Sequence, residues 1–150
     1  GIYRHVWLEF SGKIHFKRWG NQITTPEVSE DRAVMVFKTI IINDDSVSGK
    51  LTLQTYLFDP EGKKIIDKEL EFTVKPDDTI QKIQKFEISK PELWSPDDPK
   101  VYKLQYFIKK GDIVLDAFIT TTGIRKFNFD PNKGFSLNGE RMKIKGVCLH

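Results

Sequence analysis

Tyr102-Lys103-Leu104-Gln105-Tyr106-Phe107-Ile108-Lys109-Lys110-Gly111-Asp112-Ile113-Val114-Leu115-Asp116-Ala117-Phe118-Ile119 decides the fold. Tyr102, Leu104, Tyr106 and Ile108 alternate with Lys103 and Gln105, the period of a half-buried strand. Lys110-Gly111-Asp112 turns the chain, and Ile113, Leu115, Ala117 and Ile119 answer at the same period, so the stretch is predicted to be a β-hairpin. Working outward, Leu51, Leu53, Thr55 and Leu57 repeat the alternation. Asp59-Pro60-Glu61-Gly62 then breaks it with turn chemistry, because Pro presets φ and Gly accepts positive φ. Ile65–Val74 resumes weakly, and a segment from near Ile80 closes on Phe86 and Ile88. Arg32–Asn43 is apolar on both parities, which predicts a central strand covered on both faces or one meeting another domain. Ile2–Phe10 is also strand-like, with Val6, Leu8 and Phe10 at period two. Ser11–Ser29, with Gly12, Gly20 and Pro26, reads as a loose first strand or a linker.

No window shows the i, i+3, i+4, i+7 stripe of an amphipathic helix. The expected fold is therefore all-β: an immunoglobulin-like antiparallel sandwich of about seven strands in two sheets, with little helix. The chain has one cysteine, Cys148, so apolar packing and no internal disulfide must hold the sheets together.

The 150 residues are 39% hydrophobic and 30% charged, a globular mixture. No apolar run approaches the ~20 residues of a membrane span, and no membrane partner is expected. The net charge of +3 is unevenly placed. Residues 124–150 hold six bases and two acids, a balance of +4, whereas residues 1–123 are near neutral. A nucleic-acid binder concentrates cations on the folded face that meets phosphate, so none is expected here. The absence of an initiator Met, and an apolar stretch (Met142, Ile144, Val147) running to His150 with no partner announced, suggest a chain excised from something longer.

The residues that could carry chemistry read mostly as scaffold. Asp44-Asp45, Asp77-Asp78 and Asp97-Asp98 sit where turns are expected, and neighbouring turn residues face water instead of converging as an acid–base pair does. His5, His15 and His150 match no short metal motif, and no metal site is expected. Cys148 and His150 share a strand face but lack a third, orienting group. Trp7, Trp19 and Trp94 could stack on sugar rings, although packing is the commoner fate of tryptophan. Neither a nucleophile elbow nor a phosphate loop occurs.

Five strings, in order, resemble glycoside hydrolase family 2, the β-galactosidase, β-glucuronidase and β-mannosidase group. Gly1-Ile2-Tyr3-Arg4-His5-Val6-Trp7-Leu8 is similar to the segment leaving that family's jelly-roll domain. Leu93-Trp94-Ser95-Pro96-Asp97-Asp98-Pro99-Lys100-Val101-Tyr102 resembles its L-W-S-P-x-x-P-x-L-Y string, with Val101 for Leu. Gly123-Ile124-Arg125 resembles the G-[IF]-R that ends its sandwich. Gly134-Phe135-Ser136-Leu137-Asn138-Gly139 and Lys145-Gly146-Val147-Cys148-Leu149-His150 resemble the approach to its catalytic (β/α)8 barrel, with Cys148 for Asn and Leu149 for Arg.

The resemblance implies three parts: residues 1–12 ending a jelly-roll, residues 13–123 forming the sandwich, and residues 124–150 forming a linker hairpin and the start of the barrel. Trp94, Pro96, Pro99, Tyr102, Gly123, Arg125, Asn138 and Gly139 would be its structural motif. Within it, Pro96 and Pro99 stiffen an extended run, and Trp94 could plug one end of the sandwich. Tyr102 could act as a tyrosine corner, its hydroxyl bonding back to nearby backbone, and Asn138-Gly139 is the strongest short hairpin signal. His150 would lie near the sugar subsite.

The parent would be a retaining exo-β-glycosidase, most simply of the β-galactosidase type. Its two catalytic glutamates, about 5 Å apart, would lie on the barrel beyond His150, so this chain would be inactive. Its partners would be the jelly-roll and barrel, with carbohydrate met through the parent and a homo-oligomer left open. It would need no cofactor itself, any divalent or monovalent ion belonging to the barrel. A carbohydrate-binding module and a free-standing immunoglobulin-like interaction domain are the alternatives. Cytoplasm and periplasm fit equally.

Overall fold

The structure, a computed structural model, describes residues 1 and 3–146. His150 and Cys148 lie outside the described residues. The described residues are all-β, with no helix among them and with antiparallel ladders between the strands.

One sheet is built on β3 (Arg32–Asn43). Along one edge of β3 lie β1 (Ile14–Phe16) and β2 (Gln22–Val28), end to end; β6 (Asp78–Ser89) runs along the whole of the other. The second sheet has the order β5-β4-β7-β8, from β4 (Gly49–Phe58), β5 (Lys64–Val74), β7 (Tyr102–Lys110) and β8 (Ile113–Thr122). The two sheets face each other as an immunoglobulin-like sandwich. A third, small sheet follows them in the chain: β9 (Phe127–Asp130), β10 (Gly134–Leu137) and β11 (Glu140–Arg141), in the order β11-β10-β9.

The alternation of the sequence becomes the core. Met35, Phe37 and Ile41 of β3, Leu51, Leu53 and Leu57 of β4, Phe86 and Ile88 of β6, and Leu104, Tyr106 and Ile108 of β7 form one buried cluster. The Tyr106 ring lies at its centre, 4.4 Å from Phe37, 5.0 Å from Phe16 at a near-perpendicular tilt, and 5.3 Å from Phe118. Such aromatic pairs add about 0.5–1.5 kcal/mol each beyond the area they bury. Polar bonds also join the sheets. Thr55 Oγ1 of β4 donates to Gln84 Oε1 of β6 at 2.6 Å, fully buried, and the Phe16 N–H of β1 donates to Asp116 Oδ2 of β8 at 2.8 Å.

The structure refines three readings in detail. Residues 3–13 hold no strand, and Val6, Leu8 and Phe10 are exposed: alternation makes a strand only where a partner offers a ladder. Ser11–Ser29 contains two strands, β1 and β2, so the sandwich has eight. β3 buries one parity completely; on the other only Val34 is fully buried, while Val36, Ile40 and Ile42 are half-covered.

Candidate functional site at the end of the sandwich

The segment joining β6 to β7 carries Trp94, and the segment joining β8 to β9 carries Gly123–Lys126. A parallel bridge between Leu93 and Ile124 brings them together. The Trp94 N–H donates to the Ile124 carbonyl at 2.8 Å. Gly123 lies directly against Trp94: a Cβ there would stand 2.6 Å from the Trp94 Cβ. Only a residue without a side chain permits that approach. The Arg125 guanidinium lies over the indole, 4.7 Å from the ring centroid, a cation–π contact.

Asn138 ties the small sheet to this corner. Its Nδ2 donates to the Trp94 carbonyl at 3.0 Å. Its Oδ1 accepts from the Lys126 N–H at 3.0 Å, and its own N–H donates to the Lys126 carbonyl at 2.7 Å. One side chain thus joins the small sheet to the Trp94 segment, 44 residues away in sequence. It can do so because Asn138 and Gly139 hold φ of 51° and 89° at the β10–β11 turn, a geometry Asn and Gly tolerate best. From the other side, Thr25 Oγ1 of β2 donates to the Arg125 carbonyl at 2.9 Å.

Tyr102 supports the same corner from within. Its ring is buried at the start of β7, and its hydroxyl accepts from the Glu92 N–H at 2.9 Å. Burial raises its pKa. Pro96 and Pro99 lie exposed in a short loop that closes on itself, Asp98 N–H donating to Ser95 Oγ at 3.0 Å. Of the residues singled out in the sequence, the structure therefore brings Trp94, Gly123, Arg125 and Asn138 into one contact set, with Tyr102 and Gly139 beside it. Leu93, Ile124, Lys126 and Thr25 join through backbone groups or a hydroxyl, and nothing in their residue types advertised it.

Other candidates lead elsewhere. Trp94 has one ring face under Arg125, so that face offers no sugar platform. Trp19 is 90% exposed at the β1–β2 turn and stands alone but for Arg18. The His15 ring rests against the Gly12 carbonyl at 3.0 Å, and His5 lies in the exposed N-terminal segment. Among the described residues no three His, Cys, Asp or Glu side chains gather as a metal site would need. Shallow hollows among the described residues include two of about 270 and 450 Å³. Each has a single carboxylate in its lining. Glu27 of the first pairs with Arg32 at 3.7 Å, and Asp130 of the second accepts from the Asn132 and Lys133 N–H groups. Neither hollow offers the two facing carboxylates that glycoside hydrolysis requires.

The described residues thus form an immunoglobulin-like sandwich with an extra sheet hydrogen-bonded to one end. The chain belongs to the glycosyl hydrolases family 2, whose model matches residues 19–125. It is 35% identical to β-galactosidase BoGH2A of Bacteroides ovatus over 150 residues, covering 100% of this chain and 18% of that protein. It is 34% identical to a putative β-glucuronidase of Formosa agariphila over 151 residues, covering 100% of this chain and 17% of the other. A family 2 member from Bacteroides cellulosilyticus superposes with a TM-score of 0.88 at 32% identity, over 93% of this chain and 19% of that one. The chain thus spans less than a fifth of the length of these relatives.

Proposed function

We propose that this chain is a non-catalytic sandwich domain of a retaining exo-β-glycosidase of the β-galactosidase type, and that it holds neighbouring domains in register around a sugar pocket. The observation that carries this reading is the Asn138 clamp. It bonds the β9–β11 sheet to the β6–β7 segment through the Asn138 amide and the Trp94 carbonyl at 3.0 Å, while two further bonds to Lys126 hold Asn138 in place at the edge of that sheet. A flexible linker needs no such device; a spacer that sets the direction of the chain does. The family match supports the reading, as do the two hollows described, each lined by a single carboxylate. On this reading the sugar is cleaved by groups on another part of a longer polypeptide.

The test is an assay of the 150-residue chain beside the longer polypeptide that carries it, on aryl β-galactosides, β-glucuronides and β-mannosides. Turnover is expected from the longer protein alone, and fastest on the galactoside. Hydrolysis by the 150-residue chain would overturn the non-catalytic role; a preference for the glucuronide would overturn the galactosidase type.

A further inference from the structure

Asn138 is the one asparagine of five that glycine follows; Asn21, Asn43, Asn128 and Asn132 precede Gln22, Asp44, Phe129 and Lys133. Asparagine is chemically labile, and most so before glycine, where no side chain shields the next nitrogen. The Asn138-Gly139 step carries both halves of that reaction. Its nucleophile is open: Gly139 is exposed, a Cβ there would meet nothing within 4 Å, and among the described residues no acceptor holds its N–H. Its electrophile is held. The Asn138 Cγ belongs to a half-buried amide whose Oδ1 accepts from the Lys126 N–H and whose Nδ2 donates to the Trp94 carbonyl, each at 3.0 Å.

We infer that Asn138 is a site of spontaneous self-modification, converted by water to aspartate and isoaspartate at a rate the clamp sets, and that the conversion unfastens the small sheet irreversibly. In the first step the Gly139 nitrogen attacks Cγ. The N–Cγ bond forms, the Cγ–Nδ2 bond breaks, and Nδ2 leaves as ammonia with the proton given up by Gly139. Water then opens the succinimide ring. Cleavage at Cγ leaves aspartate; cleavage at the Asn138 carbonyl carbon leaves isoaspartate, with the main chain running through Cβ and Cγ. Nothing is oxidised or reduced. Groups this close along the chain need only alignment to react, and alignment is what the clamp withholds. The attacked carbon becomes tetrahedral, which swings Oδ1 and Nδ2 out of the amide plane and away from Lys126 and Trp94, and hydrogen bonds weaken steeply with angle. Conversion therefore waits on local opening. Afterwards the clamp cannot close. Aspartate has no N–H for the Trp94 carbonyl and sets a negative oxygen against it. Isoaspartate adds a main-chain carbon inside the tight turn that pairs Leu137 with Glu140, so that pairing is lost as well.

The experiment keeps the 150-residue chain in mildly alkaline buffer, folded or in urea. The peptide carrying residue 138 is followed by chromatography and mass spectrometry, which separate asparagine, aspartate and isoaspartate. In urea Asn138 should convert faster than the other four asparagines. Gly139→Ala, tested in urea where folding is not at issue, should slow it several-fold. The two side-chain hydrogen bonds should make conversion in the folded chain at least ~10-fold slower than in urea. Gly123→Ala, which displaces Trp94, should recover several-fold of that rate in chain still folded by far-ultraviolet dichroism, and Gly12→Ala should not. In the unsubstituted chain, conversion and amide exchange at Lys126 should rise in parallel across low urea, a comparison that stands even if Gly123→Ala does not fold. Asn138→Asp, the product made directly, should unfold at lower urea than the unsubstituted chain. Conversion at equal rates in folded and unfolded chain would overturn the gating, as would exchange at Lys126 that rises without it. Conversion of Asn138 in urea no faster than that of Asn132 would overturn the site. An unchanged urea midpoint for Asn138→Asp would overturn the unfastening. Glycosidase activity is not the readout, so failure here leaves the proposed function standing.

Discussion

Replacing Gly123 by Ala tests the corner with one methyl group. The new Cβ would stand 2.6 Å from the Trp94 Cβ, 2.7 Å from Cγ and 2.8 Å from Cδ1. None of these is the free end of a flexible chain, so the Trp94 segment has to move. Overpacking of this kind costs about 1–3 kcal/mol. The Trp94 N–H bond to Ile124 and the Asn138 bond to the Trp94 carbonyl stretch with it, and each is worth about 0.5–1.5 kcal/mol. Against this, Ala restricts the unfolded chain and returns about 0.4–1 kcal/mol, a gain open to it because Gly123 is not among the positive-φ residues. The net loss is about 1–3 kcal/mol. With a urea slope of ~2 kcal/mol/M, the unfolding midpoint falls by about 1 M at the middle of that range. Trp7 and Trp19 are exposed, so near-ultraviolet dichroism reports mainly on Trp94 and should weaken in the folded variant. Gly12→Ala is the control, because a Cβ there meets nothing nearer than 3.8 Å; it should leave the midpoint unchanged or raise it. A Gly123→Ala midpoint equal to that of Gly12→Ala would refute the reasoning, since close approach would then carry no cost.

Asn138→Gly keeps the turn but removes the bonds to Lys126 N–H and Trp94 carbonyl; a loss of about 1–3 kcal/mol is expected, with faster amide exchange at Lys126. Asn138→Ala should lose about 1 kcal/mol more, because Ala resists the left-handed backbone, and equal urea midpoints for the two variants would contradict this. Thr55→Val removes the sole hydrogen bond of the buried Gln84 side chain, whose Nε2 already has none. The expected loss is about 1–3 kcal/mol, most of it recovered by adding Gln84→Leu, as a double-mutant cycle in urea would show. Burial raises the pKa of Tyr106 above its ordinary value of 10.0. The unfolded phenol therefore ionises first: stability is full below pH ~10 and falls as pH climbs toward the folded value. Its hydroxyl, near Asn21 and Asp116, meets no partner in hydrogen-bond geometry, so Tyr106→Phe should be neutral or mildly stabilising at pH 7. It should also flatten the alkaline decline of the melting temperature.

The hairpin from Tyr102 to Ile119 was legible because its period and its Gly111 turn agree, and both strands find a neighbour. Residues 3–10 have the same period and no strand: period records which side could be buried, and the ladder partner is not written locally. β2 was hidden for the opposite reason. Pro26 breaks the pattern, yet the register slips between Thr24 and Glu27, and a bulge is where a strand tolerates a residue with no N–H. Trp94, Gly123, Arg125 and Asn138 were visible through a family resemblance, residue by residue. Their mutual contact was not, because it joins positions as far as 44 residues apart, and only the folded sheets bring them together.

The clamp also explains why the corner uses polar groups where an apolar plug would serve stability alone. An apolar contact is non-directional and tolerates sliding by a fraction of a side chain. Hydrogen bonds do not: their strength falls steeply with angle. Asn138 spends its amide oxygen on the adjoining Lys126 N–H and its amide nitrogen on the Trp94 carbonyl, so rotation of the small sheet away from Trp94 breaks the second bond. Arg125 adds a charged lid over the Trp94 indole. The apolar core of the sandwich would survive a rotation of the small sheet unchanged. What would be lost is the direction in which the chain leaves it, which is the property the proposed spacing role requires.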